Sequence, residues 1–583
     1  MSNDAPTALA ESAATPVRGF EVTFLWPLRL IPDGDLKTRR EDQNQVGDKW
    51  LQQYAGYIAQ ATHQAGGRAS DSPVSWQPAE YFDRAKRGAP LGDQAGQYAE
   101  FVYFHPYIHR IFFERQSHTA CLLLTRSDIR AVRVRLRHED DAPVWRLTAS
   151  DVRLFLFPPG IAIASVRLSG PPCEVSRNPA AKARPFCLAD ALDFLDYVRH
   201  VYPPWWAVDG SCGIPGQAPP SFEWLGADGQ PIGERSDFES IGPYLDHVRD
   251  NRTVPVAAHW RSFLRPLLPD PGEDQRKSAG DCLYFAQLED DRIPLLAWLS
   301  VDDPEKISPG DWFRLAFCDD HGDSRSYPFS GPWLERTSAN VFYDRFWNPP
   351  AFNTRYACCG YAFTAVGKDS DDKFTRHVRN HMARHYYLLA VLAHLQKASL
   401  LYFWQNLSEI VQEFASAPAA KKESRQELRS NQRWLLQDLT DFVSRFYFIE
   451  VSNQLQAREL FELWHRSLGI EQLYKEVRDQ MEFVARVIET NYQMELVEEQ
   501  TKIADQQRSL AAAANLLLPP TAAATLVAAL FSIPGVPSGM ASWSACVCPP
   551  IPWLASVGTG AVVFGGAWLV GRLLIRRWPV RRS

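Results

Sequence analysis

From Gln507 to Ser583 the chain carries six arginines (Arg508, Arg572, Arg576, Arg577, Arg581 and Arg582), no lysine and not one acidic side chain. Within it lie two apolar stretches of 25 residues each, Ser509–Ile533 (SLAAAANLLLPPTAAATLVAALFSI) and Ile551–Ile575 (IPWLASVGTGAVVFGGAWLVGRLLI). A hydrocarbon core of about 30 Å is crossed by roughly 20 helical residues. The pattern therefore predicts two C-terminal transmembrane helices. The link 534–550 holds no charge, whereas Arg508 lies just before the first stretch and Arg576, Arg577, Arg581 and Arg582 follow the second. Under the positive-inside bias both flanks face the cytoplasm. The expectation is a bacterial-type inner-membrane protein with two spans and both termini cytoplasmic.

Removing that basic tail leaves an acidic body, since the whole chain has 62 Lys and Arg against 68 Asp and Glu. A nucleic-acid surface needs clustered cations, so that partner class is excluded. Cys121, Cys173, Cys187, Cys212, Cys282, Cys318, Cys358 and Cys359 follow no disulfide framework and read as free thiols in a reducing cytosol. Cys546 and Cys548 fall in the predicted external loop. Residues 1–18 are small and polar, without a signal-peptide core, and read as a disordered lead.

The rest divides by pattern. Residues 19–367 read as a cytoplasmic α+β domain, with strands at 20–30, 121–136, 145–157, 160–170 and 356–367. A helix is expected over 187–202, and the Pro- and Gly-rich stretch 208–280 reads as loops and insertions. Residues 368–468 read as a cytoplasmic helical region, with one helix over 374–414 and another over 421–468. The segment 386–404 is apolar enough to suggest a span, but His394, Gln396 and Lys397 at its middle favour burial among helices. Residues 469–508 carry Leu473, Val477, Met481, Val484, Ile488, Tyr492, Leu496 and Ile503 at helical spacing. They form a coiled-coil stalk leading into the span 509–533, the loop 534–550, the span 551–575 and the basic tail 576–583.

This order of a cytoplasmic domain, a long helix entering a first span, a short outer loop, a second span and a basic end resembles the CorA family of magnesium transporters. The block FYFIEVSNQLQARELFELWHRSLGIEQLYKEV (446–477) is similar to the stalk-proximal region of divergent members. The resemblance implies a homo-oligomer, a pentamer in the family, whose first spans surround a pore. It places Gly539, Met540 and Ala541 at the outer mouth, where the family has Gly-Met-Asn, and Asn515 and Ser532 along the lumen. Ala541 lacks the amide oxygen that would hold a hydrated Mg²⁺. Mg²⁺ or another divalent cation is the implied transported, and possible regulatory, ion.

The residues themselves leave alternatives. Asn515 inside an apolar segment points to a pore lining or to helix–helix packing, and Thr521 and Thr525 add hydroxyls to the same segment. His377, His381 and His385 share a helix face at the spacing of a metal chelate, but Arg376, Arg379 and Arg384 make that face basic. Asp319, Asp320 and Asp323, and Asp369, Asp371 and Asp372, are acidic loops suited to a hard cation or simply to turn chemistry. No phosphate loop, nucleophile elbow or zinc-protease motif occurs, so no enzyme is expected. The functions in play are a CorA-like channel, a pore opened by a cytosolic small-molecule signal and acting as a stress or defence effector, and a membrane-anchored scaffold without transport.

Overall fold

The computed structural model describes residues 12–33, 49–61, 76–81, 91–114, 120–139, 142–158, 160–174, 184–209, 212–238, 240–272, 282–349, 352–370, 373–416 and 422–531. The chain divides into two units, Met1–Glu482 and Phe483–Ser583, and the boundary falls inside the helix Ile470–Phe531.

In the first unit fourteen strands join in one mixed sheet. Its path runs from Pro231–Asp237 through Ser221–Leu225, Ala131–Arg135, Val144–Phe157 and Ile161–Glu174 to Val17–Asp33. It continues through Leu295–Val301, Ala362–Lys368 and Arg355–Cys358 to Phe342–Tyr343. Leu295–Val301 and Ala362–Lys368 pair in parallel, and the other neighbours on this path run antiparallel. Val17–Asp33 is the central strand, paired along one edge with Ile161–Glu174. Its other edge changes partner, from Leu295–Val301 up to Phe24 to Cys282–Gln287 from Leu28 onward. Pro27 sits at that change, where a missing backbone donor is tolerated.

Residues 22–28 of this strand are buried on both faces, so each face is covered by helix. On one face Phe20 packs edge-on to Phe194 of the helix Leu188–Tyr197, at 5.3 Å between ring centres. On the same face Phe24 and Trp26 meet Trp260 at 5.8 and 5.6 Å. On the other face Ser165, the cross-strand partner of Leu25, accepts the Tyr387 hydroxyl at 3.1 Å. There Arg29 reaches Glu409 and Asn406 of the helix His385–Ser416.

The stretch 208–280 departs from the expected loops. Ser221–Leu225 and Pro231–Asp237 are sheet strands, and Gly242–Asn251 and Ala258–Leu264 are helices. Its turn residues do their work at single points, as where Gly229, at φ +76°, closes the hairpin between the two strands. Two further helices divide where one was expected. The first breaks at Arg384, into Lys373–Ala383 and His385–Ser416, and the second divides into Lys422–Arg445 and Leu455–Leu468.

Buried polar residues explain the second division. Gln396 is fully buried and donates to the carbonyls of Phe446 and Phe448 at 2.8 and 3.1 Å, giving the non-helical backbone there its partners. Lys397 donates to the Leu468 carbonyl at 3.1 Å, just before Gly469 ends that helix at φ +65°. The polar centre of the apolar helix thus serves the ends of its neighbours.

Among the described residues no helix is long and apolar enough to cross a membrane. This corrects the expectation of two C-terminal transmembrane helices, and with it the two-span inner-membrane localisation. The reason lies in composition. Of the 23 residues Ser509–Phe531, nine are alanine, each contributing a single methyl, and Asn515, Pro519, Pro520, Thr521 and Thr525 interrupt the rest. They end a helix whose preceding turns are highly charged. Ile551–Ile575 lies outside the described residues, so the transport reading has no described span to rest on.

The aromatic face of the sheet generates one prediction. Trp260 is 1% exposed and also donates its indole N–H to the His200 carbonyl at 3.2 Å. Trp260→Ala is expected to destabilise the first unit by about 3–5 kcal/mol, read as a lowered urea midpoint, with Trp260→Phe recovering part of the loss.

Candidate functional site

The helix Leu188–Tyr197 (LADALDFLDY) carries Asp190, Asp193 and Asp196 three residues apart, all at most 1% exposed. Carboxylates so deeply placed need partners, because an unpaired buried charge is costly. Asp190 accepts two bonds from Arg184 at 2.6 and 2.7 Å and closes the helix start by accepting the Cys187 backbone N–H at 3.1 Å. Asp193 takes Arg137 Nε at 2.9 Å on one oxygen. Its other oxygen takes His321 Nδ1 at 2.6 Å and the His321 backbone N–H at 3.0 Å. Asp196 lies 3.5 Å from Arg199 and 3.4 Å from His200 Nε2, while its Oδ2 has no hydrogen-bond partner among the described residues. His200 Nδ1 reaches Asp291 at 2.5 Å.

The network perturbs its members. The hydrogen bond to Asp193 raises His321 above the ordinary histidine value, against partial burial. Burial works to lower His200, but the bonds to Asp196 and Asp291 outweigh it and the net shift is upward. Burial also works to raise Asp291, and the His200 bond reverses it to a net lowering. Asp319 and Asp320 are raised, chiefly by burial and then by the charge of Asp196, with Asp193 adding to Asp320.

The sequence-derived residues separate here. Asp319 and Asp320 join this network, the first accepting the Tyr327 hydroxyl and the second the Tyr197 hydroxyl at 3.4 Å. Asp323 does not join it. Its carboxylate accepts the Arg325 N–H at 3.0 Å and the Ser326 hydroxyl at 3.4 Å, which is turn chemistry. Asp369 bonds elsewhere, to Ser300 and the Val301 carbonyl. Asp371 and Asp372 lie outside the described residues. His377 and His381 of the helix Lys373–Ala383 and His385 at the start of the next follow one another as tilted rings, 4.1 and 4.3 Å between centres. Burial lowers His381 to about 3 and His385 to about 4, so both are neutral rings packed near Tyr103. Among the described residues no group of three or more His, Cys, Asp or Glu is placed to hold a metal ion.

For the pore residues, Asn515, Thr521 and Thr525 fall in the described helix but their side chains are outside the described set. Ser532, Gly539, Met540 and Ala541 lie outside the described residues. A cleft partly open to solvent is lined by Tyr81, Ile111, Phe112, Cys121, Leu123 and Phe155, and its interior of about 10 Å³ has room for little more than one water molecule.

Sequence reasoning missed Asp190, Asp193, Asp196, Arg137, His200, Asp291 and His321. The available signal was three aspartates at helical spacing in an otherwise apolar helix. The chemistry this network supports is the uptake and release of protons at His321, whose bonds among the described residues go only to Asp193.

The second unit presents a different surface. On its part of the helix Ile470–Phe531, Phe483, Met494, Leu496, Val497, Ile503 and Leu510 are between 38% and 69% exposed. Leu496, Ile503 and Leu510, seven residues apart, share one side of the helix, and Phe483, Met494 and Val497 fall on another. An isolated helix gains nothing from apolar side chains held in water, so the seven-residue series marks an interface.

Compared with known proteins, the chain matches no family model, no curated protein and no solved structure.

The buried network makes stability depend on pH with a definite sign. A histidine raised in the folded state contributes fully below its ordinary value, and the contribution fades as pH rises through the elevated one. Hydrogen-exchange protection of residues 318–327 is expected to be complete below the ordinary histidine value of about 6.5 and to fall as pH rises above it. Asp193→Asn should flatten that dependence and cost on the order of 2 kcal/mol, moderated because Arg137 and His321 keep access to water.

Proposed function

We propose that the protein is a self-assembling scaffold, in which the helix Ile470–Phe531 associates with the same helix of other copies while the sheet-based unit is presented by the assembly. The observation that carries this reading is the exposed seam of Leu496, Ile503 and Leu510 along one side of that helix. At about 25 cal/mol per Å² of apolar surface removed from water, covering such a row is favourable, and other copies of the helix supply a matching row. Leu496, Ile503 and Leu510 recur at intervals of seven, the repeat that keeps one seam facing a partner helix. Glu498, Lys502, Asp505 and Arg508 are interspersed with them and keep the rest of the helix surface hydrated. The acidic balance of the chain suits a body held in solution around such a core.

Sedimentation velocity or light scattering of the full chain is expected to give a mass that is a multiple of the monomer. Ile503→Asp, which puts a charge in the seam, should raise the dissociation constant by about tenfold to a hundredfold. Its far-ultraviolet dichroism per residue should stay close to that of the parent chain. A full chain that is monomeric at every concentration tested would refute the assembly reading.

A further inference from the structure

The helix Ile470–Phe531 carries a second seven-residue series beside the aliphatic one. Gln493, Gln500 and Gln507 alternate with Leu496, Ile503 and Leu510, three residues before each and four after. In heptad terms the glutamines occupy one core position and the aliphatic residues the other over 18 residues. All six are exposed in the second unit. Gln493 donates to Glu489 one turn earlier at 3.3 Å, a surface bond that leaves its carbonyl oxygen available.

We infer that the helices of the assembly run parallel and in register, stacking glutamine layers alternately with leucine and isoleucine layers. This rests on the self-assembly reading and specifies its partner surface as the same segment of a second copy. The reason is the chemistry of the layers. In a parallel, in-register arrangement each core position meets itself, so glutamine amides face glutamine amides. Each amide has both donors and an acceptor, so the layer satisfies itself. In an antiparallel arrangement the two core positions face one another. Every glutamine would then lie against leucine or isoleucine, leaving buried amides unpaired at three levels. A shift of three or four residues between parallel helices makes the same mismatch. A shift of seven restores like against like but strands one layer at each end.

Charge does not oppose this choice. The positions flanking the seam on one side are Val497, Ala504 and Ala511, and on the other Tyr492, Glu499 and Gln506. In the parallel arrangement Glu499 meets an alanine flank, so no like-charge pair crosses the interface. Orientation is therefore decided by the core layers, where polar residues set register.

The test places the photo-crosslinker benzoylphenylalanine at position 492 of the full chain and maps the links between copies by mass spectrometry. Links to residues 490–500 of the second copy are expected. Links to residues 505–514 would overturn the parallel orientation while leaving self-assembly intact. A chain that is monomeric and gives no links would overturn both. Gln500→Leu removes the central polar layer and is expected to tighten association by about tenfold and to let links to 505–514 appear beside the others. Weaker association with an unchanged link pattern would refute the layered core.

Discussion

Everything in the first unit is arranged about a strand that has no exposed face. Along Val22–Leu28 each successive side chain points to the opposite side of the sheet, and all are buried. A sheet with one wet face would put Thr23 and Leu25 in water, but here both are buried, with the helix His385–Ser416 on the Leu25 side. The opposite face receives Leu188–Tyr197 and the tryptophan cluster around Trp260. Helix layers on both sides follow from that double burial.

The same burial explains why polar residues within the helices carry so many duties. Carboxylates on a helix pressed onto a sheet need partners, and Asp190, Asp193 and Asp196 find them in Arg184, Arg137, His321 and His200. Buried ion pairs contribute little net stability relative to an apolar core, but breaking one is costly. Their consequence here is positional, since they tie the 318–327 loop and the Asp291 turn to one helix. Gln396 and Lys397 work alike, as their donors terminate two neighbouring helices. Proton uptake at His321 and His200 then bears directly on how firmly those loops are held.

In the second unit the governing constraint is exposure. A helix whose apolar row faces water is a half-made core, and the alternation of glutamine with leucine or isoleucine limits how the other half can be supplied. The two units therefore obey different rules. One satisfies its polar groups internally, and the other has layers that only a matching surface completes.

Much of this was legible in the residues. The strands at 20–30, 145–157 and 160–170, the helix beginning at Cys187 and the boundary at Gly469 follow from local periodicity and turn chemistry, which neighbouring residues decide by themselves. The acidic loop at 319–323 was visible as a cluster, yet only the fold separates Asp319 and Asp320, which join the buried carboxylates, from Asp323, which caps a turn. Apolar length alone suggested two membrane spans at the C-terminus, a reading the structure corrects, because a run rich in alanine and broken by prolines has length without much apolar surface. Local sequence determined which segments are helix, strand or turn, since those preferences act over a few residues. Tertiary structure decided which charges meet, where helices stop and which strands share an edge, because such pairings join residues far apart in the chain and depend on what each burial leaves unsatisfied.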